Sequence, residues 1–176
     1  MDLLQRFSRG DLDAFETLFR GHQAEVYGWV VALVRDPAAA EDLTIEAFWR
    51  IYRARARFDP SRSFGAWARR VATNLALAHL HKTGREVSED HQQLDARPGL
   101  PTPDAALMQE TRDAIRRAFA RLPAKLKAVA ALALIEQKPH AEIAAALEIS
   151  VDAVKSREFR AVRRLREELK EMGVEP

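Results

Sequence analysis

Lys155, Ser156, Phe159, Arg160 and Arg163 lie close together near the C-terminal end of the chain. Stepped at about 100° per residue they share one arc of a helix, and Val154, Ala161, Leu165 and Leu169 form the opposite stripe. The arc carries the groups that major-groove reading uses. Arg and Lys suit guanine edges or phosphates, a hydroxyl suits either, and an apolar group suits the thymine methyl. A solvated helix face rarely carries a phenylalanine. The plainer alternative is a basic amphipathic helix packed on its own domain, with its charges left in water.

The residues upstream favour DNA. Ala141 to Leu147 predicts a short helix with Ile143, Ala144 and Leu147 inward, and Ser150 is a good N-cap for a second helix from Val151. Only the turn Glu148-Ile149 separates them, which makes a helix-turn-helix. Asp152 suits the positive end of the second helix's dipole. Such short helices need backing. Ala124 to Ile135 supplies one apolar helix. Asp104 to Arg121 supplies another, with Leu107, Thr111, Ala114, Ala118 and Leu122 inward and Leu122-Pro123 as its stop. A four-helix domain results.

A second candidate surface lies in Arg53 to Lys82. Phe58-Asp59-Pro60 breaks a helix and Ser63 can cap the next. In that next helix Phe64, Trp67, Val71, Leu75 and Ala78 recur at helical spacing, which leaves Arg69, Arg70, Thr73, Asn74 and His81 toward solvent. Single-stranded DNA is held by this mixture of cations, amides and aromatics. Alternatively the aromatics are core, as expected for Phe64 and Trp67, and the arginines are surface; for the loop as a whole both readings stay open.

Earlier helices must support that surface. Asp11 caps a helix to Arg20 whose inward stripe is Leu12, Phe15, Leu18 and Phe19, and residues 22 to 35 continue with Val26, Trp29, Val30 and Leu33. Asp36-Pro37 starts another helix to about Arg55, burying Leu43, Ala47, Phe48 and Ile51. Its far side offers Glu41, Asp42 and Glu46, with no histidine nearby to complete a metal site. Solvated charge or a protein-docking surface is the better reading. Thr83 to Ala105, with three prolines and almost no large apolar residue, predicts a linker.

Composition excludes further classes. The chain has 176 residues, 47% hydrophobic and 31% charged, and no alternating apolar-polar run that would predict a sheet. It has no cysteine, which removes disulfides, thiolate metal sites and cysteine nucleophiles. His79, His81 and His91 do not converge on a metal site, because His91 is in the linker and the other two point to different sides of a helix. Net charge is only +2, so nucleic-acid binding must come from local patches. No apolar run is long enough to span a membrane, and the N-terminal MDLLQRFSRGD lacks a leader's pattern, so a cytoplasmic protein is expected.

In this order the parts resemble a bacterial RNA polymerase sigma factor of the extracytoplasmic-function group. Asp42-Leu43-Thr44-Ile45-Glu46-Ala47-Phe48 is similar to the family's segment that docks on the polymerase clamp helices. Phe58 to Asn74 resembles the part that melts and reads the minus-ten element. Leu122-Pro123, Glu142-Ile143-Ala144 and Val154-Lys155-Ser156-Arg157 resemble the domain that reads the minus-thirty-five element.

The resemblance implies an all-α protein of two domains. Residues 1–82 would dock on polymerase and read the minus-ten element, and residues 106–176 would read the minus-thirty-five duplex, joined by a flexible linker over 83–105 that threads toward the RNA exit path. Docking residues would be Asp42, Leu43, Glu46 and Phe48. Phe58, Arg62, Ser63, Phe64 and Asn74 would surround a flipped base, and Lys155, Ser156, Phe159 and Arg160 would contact the duplex. It implies core RNA polymerase and promoter DNA as partners, an anti-sigma factor as antagonist, a monomer when free, no cofactor and no catalysis of its own.

Four positions depart from the family's usual pattern, and one is Pro139, which stands where Ser is usual before the motif's first helix and is tolerable at a helix start. Ile45 stands where Gln is usual. Glu148 stands at a turn position often held by Gly, where a left-handed backbone costs a side-chain-bearing residue about 1 kcal/mol. Glu158 stands beside the inward stripe of its helix, where a carboxylate needs a partner. The competing functions are a helix-turn-helix regulator binding duplex DNA as a dimer, and a sigma-like module that docks on proteins without reading DNA.

Overall fold

The computed structural model describes residues 2–86 and 103–174. Within them every regular element is helical. The order is α1 (Leu3–Ser8), α2 (Leu12–Val34), α3 (Pro37–Arg53), a 3-10 turn (Arg55–Arg57), α4 (Phe64–Glu86), α5 (Pro103–Arg121), α6 (Ala124–Ala130), a π turn (Ala131–Ile135), α7 (His140–Leu147) and α8 (Val151–Glu171). The all-α reading holds, with no strand among the described residues.

Capping explains most of the boundaries. Asp11 accepts from the Ala14 amide at 3.0 Å and also receives the Arg6 side chain at 2.8 Å. Asp36 accepts from the amides of Ala38 and Ala39, with Pro37 at the first helical position. Ser63 accepts from Ala66 and Ser150 from Ala153. Each satisfies an amide that has no partner within its helix.

The predicted helices over 11–20 and 22–35 are a single helix, because Gly21 stays helical and meets no neighbour that would break the run. Ahead of it stands α1, which sequence periodicity did not predict from so short a segment. Its Phe7 is fully buried and meets Phe15, Phe58, Phe64 and Trp67, with the Phe64 ring edge-on at 5.4 Å. Two inward expectations fail at helix starts. Leu12 and Leu107 are exposed, since each lies in the first turns of a helix that has not yet reached its packing partner. Ala78 is also exposed, and Thr73, expected outside, is fully buried. The indole N–H of Trp29 donates to the Thr73 hydroxyl at 2.8 Å, which in turn donates to the Arg69 carbonyl. A buried hydroxyl is tolerable only with such partners.

Helix α4 is the central element. It packs against α2 and α3 on one side and against α6 and α7 on the other, and Ala68, Ala72 and Ala76 are all fully buried. Small residues let four neighbours approach one helix closely. The main core is therefore continuous from Phe7 and Trp29 through Leu75 to Val129, Leu132, Ile143 and Val154. A second, smaller cluster of Ala118, Leu122, Ala130, Ala161 and Leu165 joins α5, α6 and α8.

After α6 the helix widens. The Glu136 amide donates to the Ala131 carbonyl, five residues back, and the Lys138 amide to that of Leu132, with Gln137 left-handed between them. The turn delivers the Lys138 ammonium to 5.9 Å from the Trp29 ring. Helix α4 begins the predicted linker late and α5 ends it early: 83–86 and 103–105 are helical. The remainder of that stretch, with His91, lies outside the described residues. Among the described residues no helix is long and apolar enough to cross a membrane.

Candidate nucleic-acid interface

Helices α7 and α8 form the expected helix-turn-helix. Ile143, Ala144 and Ala146 are buried on α7, with Leu147 only partly so. Val154, Ala161 and Leu165 are buried on α8, and Leu169 is half-buried. All five residues of the predicted arc are exposed. Phe159 is 72% exposed, far more than any aromatic placed for packing. Arg160 donates back to the Ser156 carbonyl at 3.3 Å and Arg163 pairs with Glu167 at 3.0 Å, so both guanidinium groups lie along the helix. With Arg164 they border a groove whose floor is Leu126 of α6. The surface offers cations, a hydroxyl and one apolar ring to a concave partner.

Two departures in the sequence acquire explanations here. Glu148 takes the left-handed conformation, φ 54°, that lets α7 end and α8 begin within three residues. Glu158 has His140 as its partner, Nε2 to Oε2 at 2.8 Å, a close contact that sets the first residue of α7 against α8. Periodicity could not have found a pair 18 positions apart.

The second surface surrounds a cleft of about 410 Å³ beside the α4 N-terminus. Arg57, Arg62 and Arg70 provide its cations, and Ala145 of α7 closes one wall. Asp59 shapes the loop by accepting from the Ser61 amide at 2.9 Å and its hydroxyl at 2.7 Å. Those bonds, the hydroxyl first, together with nearby Arg62, hold the Asp59 carboxyl below its ordinary range. Of the predicted residues, Arg62 and Ser63 are exposed at the cleft, and Asn74 is exposed one helical turn beyond Arg70. Phe58 and Phe64 are not free to stack on a base as they stand. They are 7% and 3% exposed, and Phe58 stacks on Trp67 at 4.9 Å. These rings form the rigid wall behind the loop.

The acidic flank of α3 also needs correction. Asp42 is exposed and Glu46 pairs with Arg50 at 2.7 Å, but Phe48 is buried against Phe19 and Leu43 is half-buried. The apolar groups that α3 presents outward are Ile45 and Trp49, four residues apart and well exposed. Sequence reasoning missed Trp49, although its spacing from Ile45 and Asp42 was legible. Among the described residues no cluster of three or more potential metal ligands occurs.

Comparison with known proteins bears on both surfaces. Residues 18–86 match the family described as Sigma-70 region 2, and residues 112–165 match Sigma-70, region 4. The chain is 31% identical over 169 residues to the RNA polymerase sigma-H factor of Pseudomonas aeruginosa, covering 90% of this chain and 88% of the relative. It is 31% identical over 179 residues to the RNA polymerase sigma factor CarQ of Myxococcus xanthus, covering 98% of each. With the ECF RNA polymerase sigma factor SigW of Bacillus subtilis it shares 29% over 180 residues, covering 96% of each. Among solved structures the fold resembles CnrH in complex with the cytosolic domain of CnrY. The TM-score is 0.61 and the identity 23%, covering 96% of this chain and 95% of that one. It also resembles the sigma factor RpoE of Bartonella quintana in complex with the anti-sigma factor NepR, with TM-score 0.56 and 22% identity, covering 89% of this chain and 96% of that one.

Proposed function

The chain belongs to the extracytoplasmic-function group of sigma-70 family RNA polymerase sigma factors, and from that membership we propose how its residues divide the work of promoter-specific initiation. Residues 1–82 dock on core polymerase and read the minus-ten element. Residues 106–176 read the minus-thirty-five duplex. Lys155, Ser156, Phe159, Arg160 and Arg163 enter the major groove, with Asp152 and Ser150 fixing the helix start behind them. Arg62, Ser63 and Asn74, with Arg57 and Arg70, hold the parted strand, and Phe58 and Phe64 keep the loop rigid from beneath. On α3, Asp42 and Glu46 flank Ile45 and Trp49 to make a mixed acidic and apolar docking face, which Leu43 and Phe48 anchor from inside.

The chain performs no catalysis itself. Strand opening is driven by binding energy, since capture of an extruded base offsets a few kcal/mol of unstacking. It works in the cytoplasm as a monomer on the polymerase. An anti-sigma protein is a fitting antagonist, because both structural neighbours were solved with such a partner or with a cytosolic domain of one chain bound.

The observation that carries this division is the pairing, in one chain, of an exposed recognition arc on α8 with a cationic cleft on α4. Run-off transcription with purified core enzyme tests it. The chain should create promoter-specific starts that core alone does not make, and Arg160→Ala should reduce them; equal transcript patterns with and without the chain would refute the assignment.

A further inference from the structure

We infer that His140 and Glu158 together are a positioning pair that sets the aim of the reading helix, with their hold strongest when the imidazole is protonated. The inference rests on the assignment of α8 to the minus-thirty-five duplex. His140 is the first residue of α7, seven before its end at Leu147, and Glu158 comes seven after the start of α8 at Val151. The two helices leave the turn at Glu148-Ile149 like the arms of a V, and the pair stands about 10 Å out along each arm. Nε2 and Oε2 are 2.8 Å apart. The turn fixes one end of the V, and this contact fixes the other.

Glu158 falls on the side of α8 that carries Val154, Ala161, Leu165 and Leu169, opposite the reading arc. Val154 belongs to the larger core with Ile143 and Ala144, whereas Ala161 and Leu165 pack with Ala118, Leu122 and Ala130 in the smaller one. Between those two apolar anchors the stripe carries a carboxylate. Its side chain is 26% exposed, too little for a lone charge to stay fully hydrated. An error of about 1 Å at this radius turns the arm by roughly 5° and displaces Phe159 and Arg160, the next residues out, by slightly more. Hydrogen bonds to base edges tolerate only about half an ångström.

Charge makes the hold conditional. A positive group at the amino end of a helix is disfavoured, so the Glu158 carboxylate is what stabilises an imidazolium at the start of α7. Histidine is the side chain whose charge ordinarily changes across neutral pH. Neighbouring charges are engaged elsewhere. Arg69 and Arg70 of α4 lie against Glu142 and Glu148, and Lys138 lies over Trp29. Arg121 of α5 pairs with Glu168, Lys127 of α6 donates to the Ala120 carbonyl, and Arg163 of α8 pairs with Glu167. Lys155 and Arg157 stand at other angles of α8. Among the described residues no third charged group comes within ion-pair distance of either partner.

The full chain assembled with core polymerase tests this on a fluorescent promoter duplex from which run-off transcription starts, with affinity measured at about pH 6 and about pH 8. Wild type should bind roughly two- to fivefold more tightly at the lower pH, the scale of a half-exposed ion pair. Glu158→Gln, which keeps the shape of the side chain, should show the weaker affinity at both. His140→Phe with Glu158→Leu sets apolar groups of similar size in the seam and should restore the tighter affinity without the pH dependence. A wild type with no pH dependence would overturn the proposal. So would Glu158→Gln with the wild-type dependence, since the imidazolium would then act on phosphates directly. Melting of the free chain gives a readout without DNA. The stability that the pair contributes is present below histidine's ordinary value, about 6.5, and is lost as pH rises through that range. The melting temperature at about pH 6 should therefore exceed that at about pH 8 by more in wild type than in Glu158→Gln, and an equal difference in both would overturn the pair. The larger wild-type difference, with no promoter-specific start from any of the proteins, would support the pair and overturn the assignment of α8 to DNA.

Discussion

Phe58 and Phe159 both stand in segments proposed to face nucleic acid, yet the first is 7% exposed and the second 72%. The α8 surface is built from one helix, and its composition is decided by which way each residue points. The α4 surface is built from a loop that would collapse without Phe7, Phe64 and Trp67 behind it, residues drawn from α1 and α4. A single helix can be aimed as a unit and read as a periodic pattern. A loop needs a non-local scaffold, and its shape depends on residues more than 50 positions away.

That difference has measurable consequences, and the largest concerns the scaffold. Phe7→Ala removes the ring around which four others are arranged, and should destabilise the protein by about 3–5 kcal/mol in denaturant titration. If the loss were under about 1 kcal/mol, the loop would not depend on α1 and the contrast would dissolve. At the other surface Arg160→Ala should leave folding unchanged and weaken duplex binding by about 1–3 kcal/mol, read as a shift in affinity for minus-thirty-five DNA by the polymerase complex. Loss of stability instead would mean that α8 is not an independent reading element.

Asn74→Ala sharpens the comparison at the loop side. Exposed and without a role in the core, Asn74 can be removed without loss of core-polymerase binding, while open-complex formation falls. Unchanged permanganate reactivity of promoter thymines would place the strand elsewhere. The smallest effect is in acid. Asp11 is held below its ordinary value chiefly by the Ala14 amide and Arg6, and Asp59 chiefly by the Ser61 hydroxyl and amide. A depressed carboxyl contributes stability that is complete above its unfolded value, about 3.9, and is lost as pH falls through the folded one. Melting temperature should therefore decline only below about pH 4, and a decline already under way at pH 6 would point to other groups.

What could be read from the sequence follows the same division. The caps at Asp11, Asp36, Ser63 and Ser150 and the arc on α8 were legible because each is decided within a few residues. Thr73 was misplaced because its environment is set by Trp29, 44 positions away. Phe48 was assigned to docking although its own stripe buries it, and Trp49 beside it carries the exposed ring. Nothing local signals that Arg69 and Arg70 meet carboxylates from α7 or its turn, since those partners lie more than 70 residues further on.

The widened turn at Ala131–Ile135 acts as a spacer of fixed gauge. It holds one residue beyond what an ordinary helical turn would accommodate, and everything C-terminal to it inherits that offset. Winding the same residues as ordinary α-helix would swing the following segment by about 100° around the axis, one residue's worth of rotation. Lys138 would leave the Trp29 ring and Pro139 would begin α7 from a different bearing, so a change of winding over five residues would cost both halves of the molecule their alignment.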